Sequence, residues 1–188
     1  AFDMKLEALI PVLNREIPLK AHAHQANDIL TAIRIAKEFH VKLTLEHTTE
    51  GNLIVDELVK AGFPCAVGPS LGHATKFELQ NKTWTTPGVL AKAGCQVSII
   101  TDAPVTPQKY LSLCAAMAVR AGMEPYEALK AITINPAKHL GIEDRVGSLE
   151  VGKDADILIF SGDPLDGISL PDQVLIDGKL IENTSGQL

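Results

Sequence analysis

Ile17-Pro18-Leu19-Lys20-Ala21-His22-Ala23-His24, followed by Gln25-Ala26-Asn27-Asp28 and the run over 29–39, decides the fold class. The first eight residues read as a short strand ending in histidines. Asn27 and Asp28 are capping types, and the Ala, Leu, Ile and Arg content of 29–39 suits a helix. The same order then recurs. Residues 41–47, Val-Lys-Leu-Thr-Leu-Glu-His, form a β-rich run with a histidine at its end. Residues 51–61 have amphipathic helical spacing, and Gly62 closes them. A third strand is expected over 63–67, ending at Gly68-Pro69. A loop through His73 and Lys76 leads to a helix over 87–93, stopped by Gly94. Residues 96–101 read as a fourth strand with Asp102 at its end, and helices are expected over about 110–121 and 125–134. Upstream, residues 4–14 have helical spacing that Pro11 interrupts.

Strands alternating with helices of this length indicate a parallel sheet built from βαβ crossovers, an α/β fold. After Asn135-Pro136 the character changes. Residues 141–188 are rich in Gly, Asp and short β-type runs, and Asp177-Gly178 between two apolar runs is a hairpin turn signal. This tail is expected to be a small β appendage.

The 188 residues are 46% hydrophobic and 21% charged, with a net charge of −6, an ordinary globular composition. The acidic balance and the lack of a basic stripe argue against nucleic-acid binding. No apolar run is long enough to span a bilayer and no signal peptide is visible, so no membrane partner is expected. Cys65, Cys95 and Cys114 are odd in number and far apart, which suits free thiols in a reducing, cytoplasmic setting.

His22, His47 and Asp102 each fall at or just past the C-terminal end of an expected parallel strand. That edge is where parallel α/β folds carry their chemistry. Two imidazoles and a carboxylate suit a divalent cation: zinc first, with iron or manganese as alternatives. Taken singly, a histidine at a strand end is more often a loop polar residue; three in register on successive units favour a site. His24, two residues after His22, is expected on the opposite side of an extended strand, and Glu46 is expected to face away from His47. His73 and Lys76 are the candidates for touching a small-molecule substrate, although exposed loop polars are commonly just solvated. His40 and His139 are assigned capping or surface roles, and Asn27 and Asp28 the cap of the helix that follows them.

The segment His22-Ala23-His24-Gln25-Ala26-Asn27-Asp28-Ile29 is similar to the fifth-strand segment of imidazolonepropionase-like members of the amidohydrolase superfamily. Leu45-Glu46-His47-Thr48-Thr49-Glu50 resembles their sixth strand, Gly68-Pro69 with Lys76 their seventh-strand loop, and Ile100-Thr101-Asp102-Ala103-Pro104-Val105 their eighth. The tail is the most specific match: residues 128–137 run into Gly147-Ser148-Leu149-Glu150-Val151-Gly152-Lys153-Asp154-Ala155-Asp156 and then Gly162-Asp163-Pro164-Leu165. The resemblance implies the C-terminal half of a TIM-like (β/α)8 barrel, strands five to eight, over 1–140, and a β-sandwich segment over 141–188. It also implies a metal-activated water attacking a C–N bond of an amide, cyclic amide, imidazolone-like ring or dipeptide. By position, His22 matches the metal ligand of strand five, and His47 the histidine of strand six, a ligand in binuclear members and a catalytic contact to substrate or transition state in some mononuclear ones. Asp102 matches the aspartate that binds metal and acts as general base.

The family's first-strand His-x-His and fourth-strand ligand have no counterpart here, and a whole barrel takes roughly 250 residues. The expectation is therefore a fragment, inactive alone and completed by the N-terminal half of the barrel or by a second copy, with homo-oligomerisation expected. Two other readings stay open: a catalytically inactive half-barrel module that self-associates, and a flavodoxin-like phosphate binder. The latter lacks any glycine-rich phosphate loop.

Overall fold

A computed structural model of the chain describes residues 2–181; Ala1 and the end of the tail, 182–188, lie outside the described residues. Two one-turn helices open the chain, α1 (Met4–Glu7) and α2 (Ile10–Leu13). The helical spacing of 4–14 is interrupted as expected, but the break falls before Pro11, which sits in the first turn of the second helix, where a missing N–H costs nothing. The repeating part follows as β1 (Leu19–Ala23), α3 (Ala26–Glu38), β2 (Leu43–His47), α4 (Val55–Ala61), β3 (Cys65–Val67), α5 (Thr86–Lys92) and β4 (Val97–Ile99). Then come α6 (Leu111–Arg120), α7 (Pro125–Ala131) and α8 (Ile134–Leu140), and last the strands β5 (Ile157–Ile159), β6 (Gln173–Ile176) and β7 (Lys179–Leu180).

The first four strands form one parallel sheet in the order β1-β2-β3-β4. Their apolar residues alternate with polar or small ones, so the two faces differ. Leu43, Leu45, Cys65, Val67 and Val97 pack with Ile29 and Ile33 of α3, Leu58 of α4 and Leu90 of α5 in one buried core. Lys20, His22, Thr44, Glu46, Ala66 and Ser98 hold the intervening positions and lie on the second face. A helix reaches that second face as well. Asn135 of α8 donates to the Val97 carbonyl at 2.8 Å, and His139 donates to Glu46 at 2.8 Å.

α8 departs from the sequence reading. Asn135-Pro136 marks no end to the helical region; Pro136 sits in the first turn of a new helix, which Gly141 closes in the left-handed conformation. His139 is therefore not a surface cap but a buried residue, 6% exposed. The tail forms a separate antiparallel sheet, β5-β6-β7. Its last hairpin turns at Asp177 and Gly178, both at positive φ (50° and 73°), as expected of a tight two-residue turn.

Candidate metal centre

β1 and β2 run in register from Leu19 opposite Leu43 to Ala23 opposite His47. Both strands end there, and both histidine-bearing segments reach the same rim. His22, His24 and His47 form a cluster in which one ligand nitrogen from each lies within 4.8 Å of the others. The ring centroids of His22 and His47 are 4.2 Å apart, and those of His24 and His47 4.3 Å apart in a stacked arrangement.

His24 belongs to this cluster, which corrects the expectation that it faces the other way. The alternation rule needs an extended, paired strand, and the pairing ends at Ala23, one residue earlier. From there the chain turns toward α3, and the backbone ties itself to the loop after β2: Thr48 N–H donates to the Ala23 carbonyl and Glu50 N–H to the His24 carbonyl. His24 is 5% exposed.

Two of the three imidazoles, those of His47 and His24, are oriented from behind. His47 Nδ1 lies 2.7 Å from the Gly68 carbonyl oxygen. A carbonyl only accepts, so Nδ1 carries the proton and Nε2 keeps its lone pair. His24 Nδ1 is 2.7 Å from Thr49 Oγ1. Burial first, and the neighbouring His47 next, push the His24 imidazole down to about 4, against the pull of Glu78. At neutral pH that ring is uncharged, the form in which imidazole binds a cation. Three convergent imidazoles, one of them locked in the Nδ1–H tautomer, fit a divalent metal.

His47 holds φ at +75° and Thr48 at +42°. Simple alternation along β2 puts His47 on the core face with Leu43 and Leu45; the left-handed backbone at the strand end redirects it to the rim. Asp102 shares this feature, with φ at +53°. Backbone strain of this kind concentrates at functional sites.

Asp102 lies three residues past the end of β4, on the same edge of the sheet, and is exposed. Its carboxylate is not among the groups within 4.8 Å of one another, so the structure brings His22 and His47 together and leaves Asp102 outside their cluster. Lys76 and His73 are exposed loop residues. Lys76 Nζ pairs with Glu78 Oε1 at 3.5 Å, and the same oxygen is 3.8 Å from His24 Nε2. Gln25, Lys76, Phe77 and Glu78 line an open depression of about 380 Å³ next to the cluster. Of these, Lys76 is expected from the sequence to touch substrate, and Gln25, one turn past His22, to reach toward a ligand; Glu78 carries no motif and becomes visible only through the fold of its loop.

The helix cap is also reassigned. α3 begins at Ala26, after Gln25, and its first N–H donates to Glu50 Oε2 at 2.8 Å. Asn27 and Asp28 lie within the first turn and bond each other.

The histidine cluster thus sits at the C-terminal edge of a parallel α/β sheet, the edge where folds built on βα units carry their sites. Residues 14–181 match the Amidohydrolase family, and the chain belongs to it. It is 44% identical to an amidohydrolase from Thermotoga maritima of known structure, superposing with a TM-score of 0.90 over 97% of this chain and 48% of that one. It is 29% identical to amidohydrolase tasK of Hapsidospora irregularis, over 94% of this chain and 18% of that protein. It is 27% identical to the imidazolonepropionase of Treponema denticola, over 96% of this chain and 41% of that protein. The chain thus spans less than half the length of each of these relatives.

Proposed function

We propose that this chain is the metal-binding C-terminal half of a hydrolase that cleaves a C–N bond in an amide, cyclic amide, imidazolone-like ring or dipeptide. The observation that carries the reading is the convergence of His22, His24 and His47 at the strand ends. In this reading β1 to β4 are the last four strands of a (β/α)8 barrel over 1–140, and the β5–β7 sheet belongs to a β-sandwich segment over 141–188. His22 and His47 would hold the cation, zinc first and iron or manganese as alternatives, and Asp102, on the same sheet edge but outside the histidine cluster, would complete the set. Such a cation supplies Lewis acidity, which brings the pKa of a water toward ~7. Asp102 would act as the general base, its carboxylate taking a proton from the attacking water and giving it to the leaving nitrogen. His47 also contacts the reacting group, and Lys76 and His73 hold the remainder of the substrate. The three free thiols suit a cytoplasmic enzyme.

A second reading has support of its own: a self-associating half-barrel without activity. β1 is an edge strand of the parallel sheet, and the polar face beside it, with Lys20 and His22, is open. Activity assays on amide, dipeptide and cyclic-amide panels with added zinc, iron or manganese separate the two, using the intact protein and residues 1–188 alone. Turnover by the intact protein that His22→Ala abolishes supports the hydrolase; metal-independent turnover, or none on any substrate, removes it. A homo-oligomer of residues 1–188 that turns over no substrate favours the second reading.

A further inference from the structure

Glu46 stands beside the candidate metal centre without joining it. It is the register partner of His22 on the neighbouring strand, so both side chains leave the same face at the same height. A carboxylate there is within side-chain reach of the histidine cluster. Its Oε1 nonetheless takes three donors: Lys20 Nζ at 3.1 Å, Thr44 Oγ1 at 2.9 Å and His139 Nε2 at 2.8 Å. Lys20 and Thr44 precede His22 and Glu46 by two residues each, one layer back toward the strand starts and away from the rim. His139 arrives from α8, 93 positions along the chain, and is buried. A carboxylate only accepts, so His139 Nε2 must donate. Its Nδ1 has no partner among the described residues. The ring's polar contact in this buried spot is therefore Glu46.

We infer that His139 is a positioning residue: through Glu46, with Lys20 and Thr44, it keeps a carboxylate turned away from His22, so that this part of the rim presents imidazole nitrogens alone. The inference rests on the metal reading above. Its consequence is chemical. An added anionic ligand would tighten the metal and fill a coordination position that a hydrolase keeps open for water.

The test is cobalt(II) titration of the intact protein, followed by visible absorption, for wild type, Glu46→Gln, His139→Phe, the His139→Phe/Glu46→Gln double variant and Lys20→Met. Glu46→Gln alone is expected to leave spectrum and affinity at wild-type values. His139→Phe is expected to shift the spectrum and tighten cobalt by about tenfold, and the double variant to restore both. Lys20→Met removes a half-exposed donor and gives a smaller shift in the same direction; it stands in if circular dichroism shows that His139→Phe does not fold. A changed spectrum in Glu46→Gln overturns the inference. So does a folded His139→Phe with wild-type cobalt binding, or a change that persists in the double variant. A wild-type protein that takes up no cobalt overturns the metal reading and this inference together.

Discussion

His47 is buried, held at positive φ, and fixed by one bond from Nδ1 to the Gly68 carbonyl. Gly68 is the residue that makes this possible. Its φ is +144°, and a Cβ there would overlap the Ile100 carbonyl oxygen. Gly68→Ala must push the two segments apart and move the acceptor of His47. The expected result is a loss of about 2–3 kcal/mol in urea unfolding and a 10- to 100-fold weaker metal affinity in a chelator competition. Glu46 provides a pH signature. Burial opposes its charge, but the hydrogen bond and charge of His139 and the bonds from Lys20 and Thr44 outweigh burial and bring it to about 2 from the ordinary 4.5. A carboxyl depressed on folding stabilises the fold fully above its unfolded value and loses that contribution as pH falls through its folded value. The stability difference between wild type and Glu46→Gln should be constant above about pH 4.5 and shrink toward pH 2; acid titration of both by circular dichroism checks it. A difference that persists unchanged at pH 2 contradicts this assignment.

Among the elements, the four βα units were legible because each opens on a β-rich run, and in the second and third Gly62 and Gly94 mark the end of the helix. Less legible was whatever depends on a partner distant in sequence. The cap of α3 comes from Glu50 in the loop after β2, and no local pattern announces a cap supplied 24 residues away. Glu50 is 7% exposed and also accepts from Asn81 at 2.7 Å, so one carboxylate fixes the start of α3, the loop after β2 and the segment before α5. Glu50→Ala should cost about 1–2 kcal/mol and raise amide exchange in the first turn of α3, measured by hydrogen–deuterium exchange. Unchanged exchange at Ala26 contradicts the cap. α8 was missed for a related reason: Asn135-Pro136 reads as a stop unless the helix begins just before it. The candidate site was half visible. His22 and His47 stood out by their place at strand ends. The contribution of His24 depends on where strand pairing stops, and the separation of Asp102 from the cluster on a loop conformation.

At the scale of the whole molecule, exposed large apolar residues occur singly along the βα units, as at Leu53, Phe77 and Val105, and recur closely along the sequence in two segments. One is the N-terminal segment, with Phe2 81% and Met4 77% exposed; the other is the tail, with Leu149 79% and Ile168 88% exposed. Exposed apolar segments and an open sheet edge are features typical of interaction surfaces, and in the proposed half-barrel reading the rest of the barrel or a second copy covers them. Residues 1–188 expressed alone should bind a hydrophobic dye and sediment above monomer mass, and the intact protein should bind the dye weakly. A dye-silent monomer of residues 1–188 contradicts this. The central claim is that the histidine cluster holds a catalytic divalent cation, and elemental analysis of the purified intact protein tests it most directly. The account predicts stoichiometric divalent metal, zinc first, that falls to background in His22→Ala and in His47→Ala; metal content at background in the wild type, or undiminished in both variants, contradicts it.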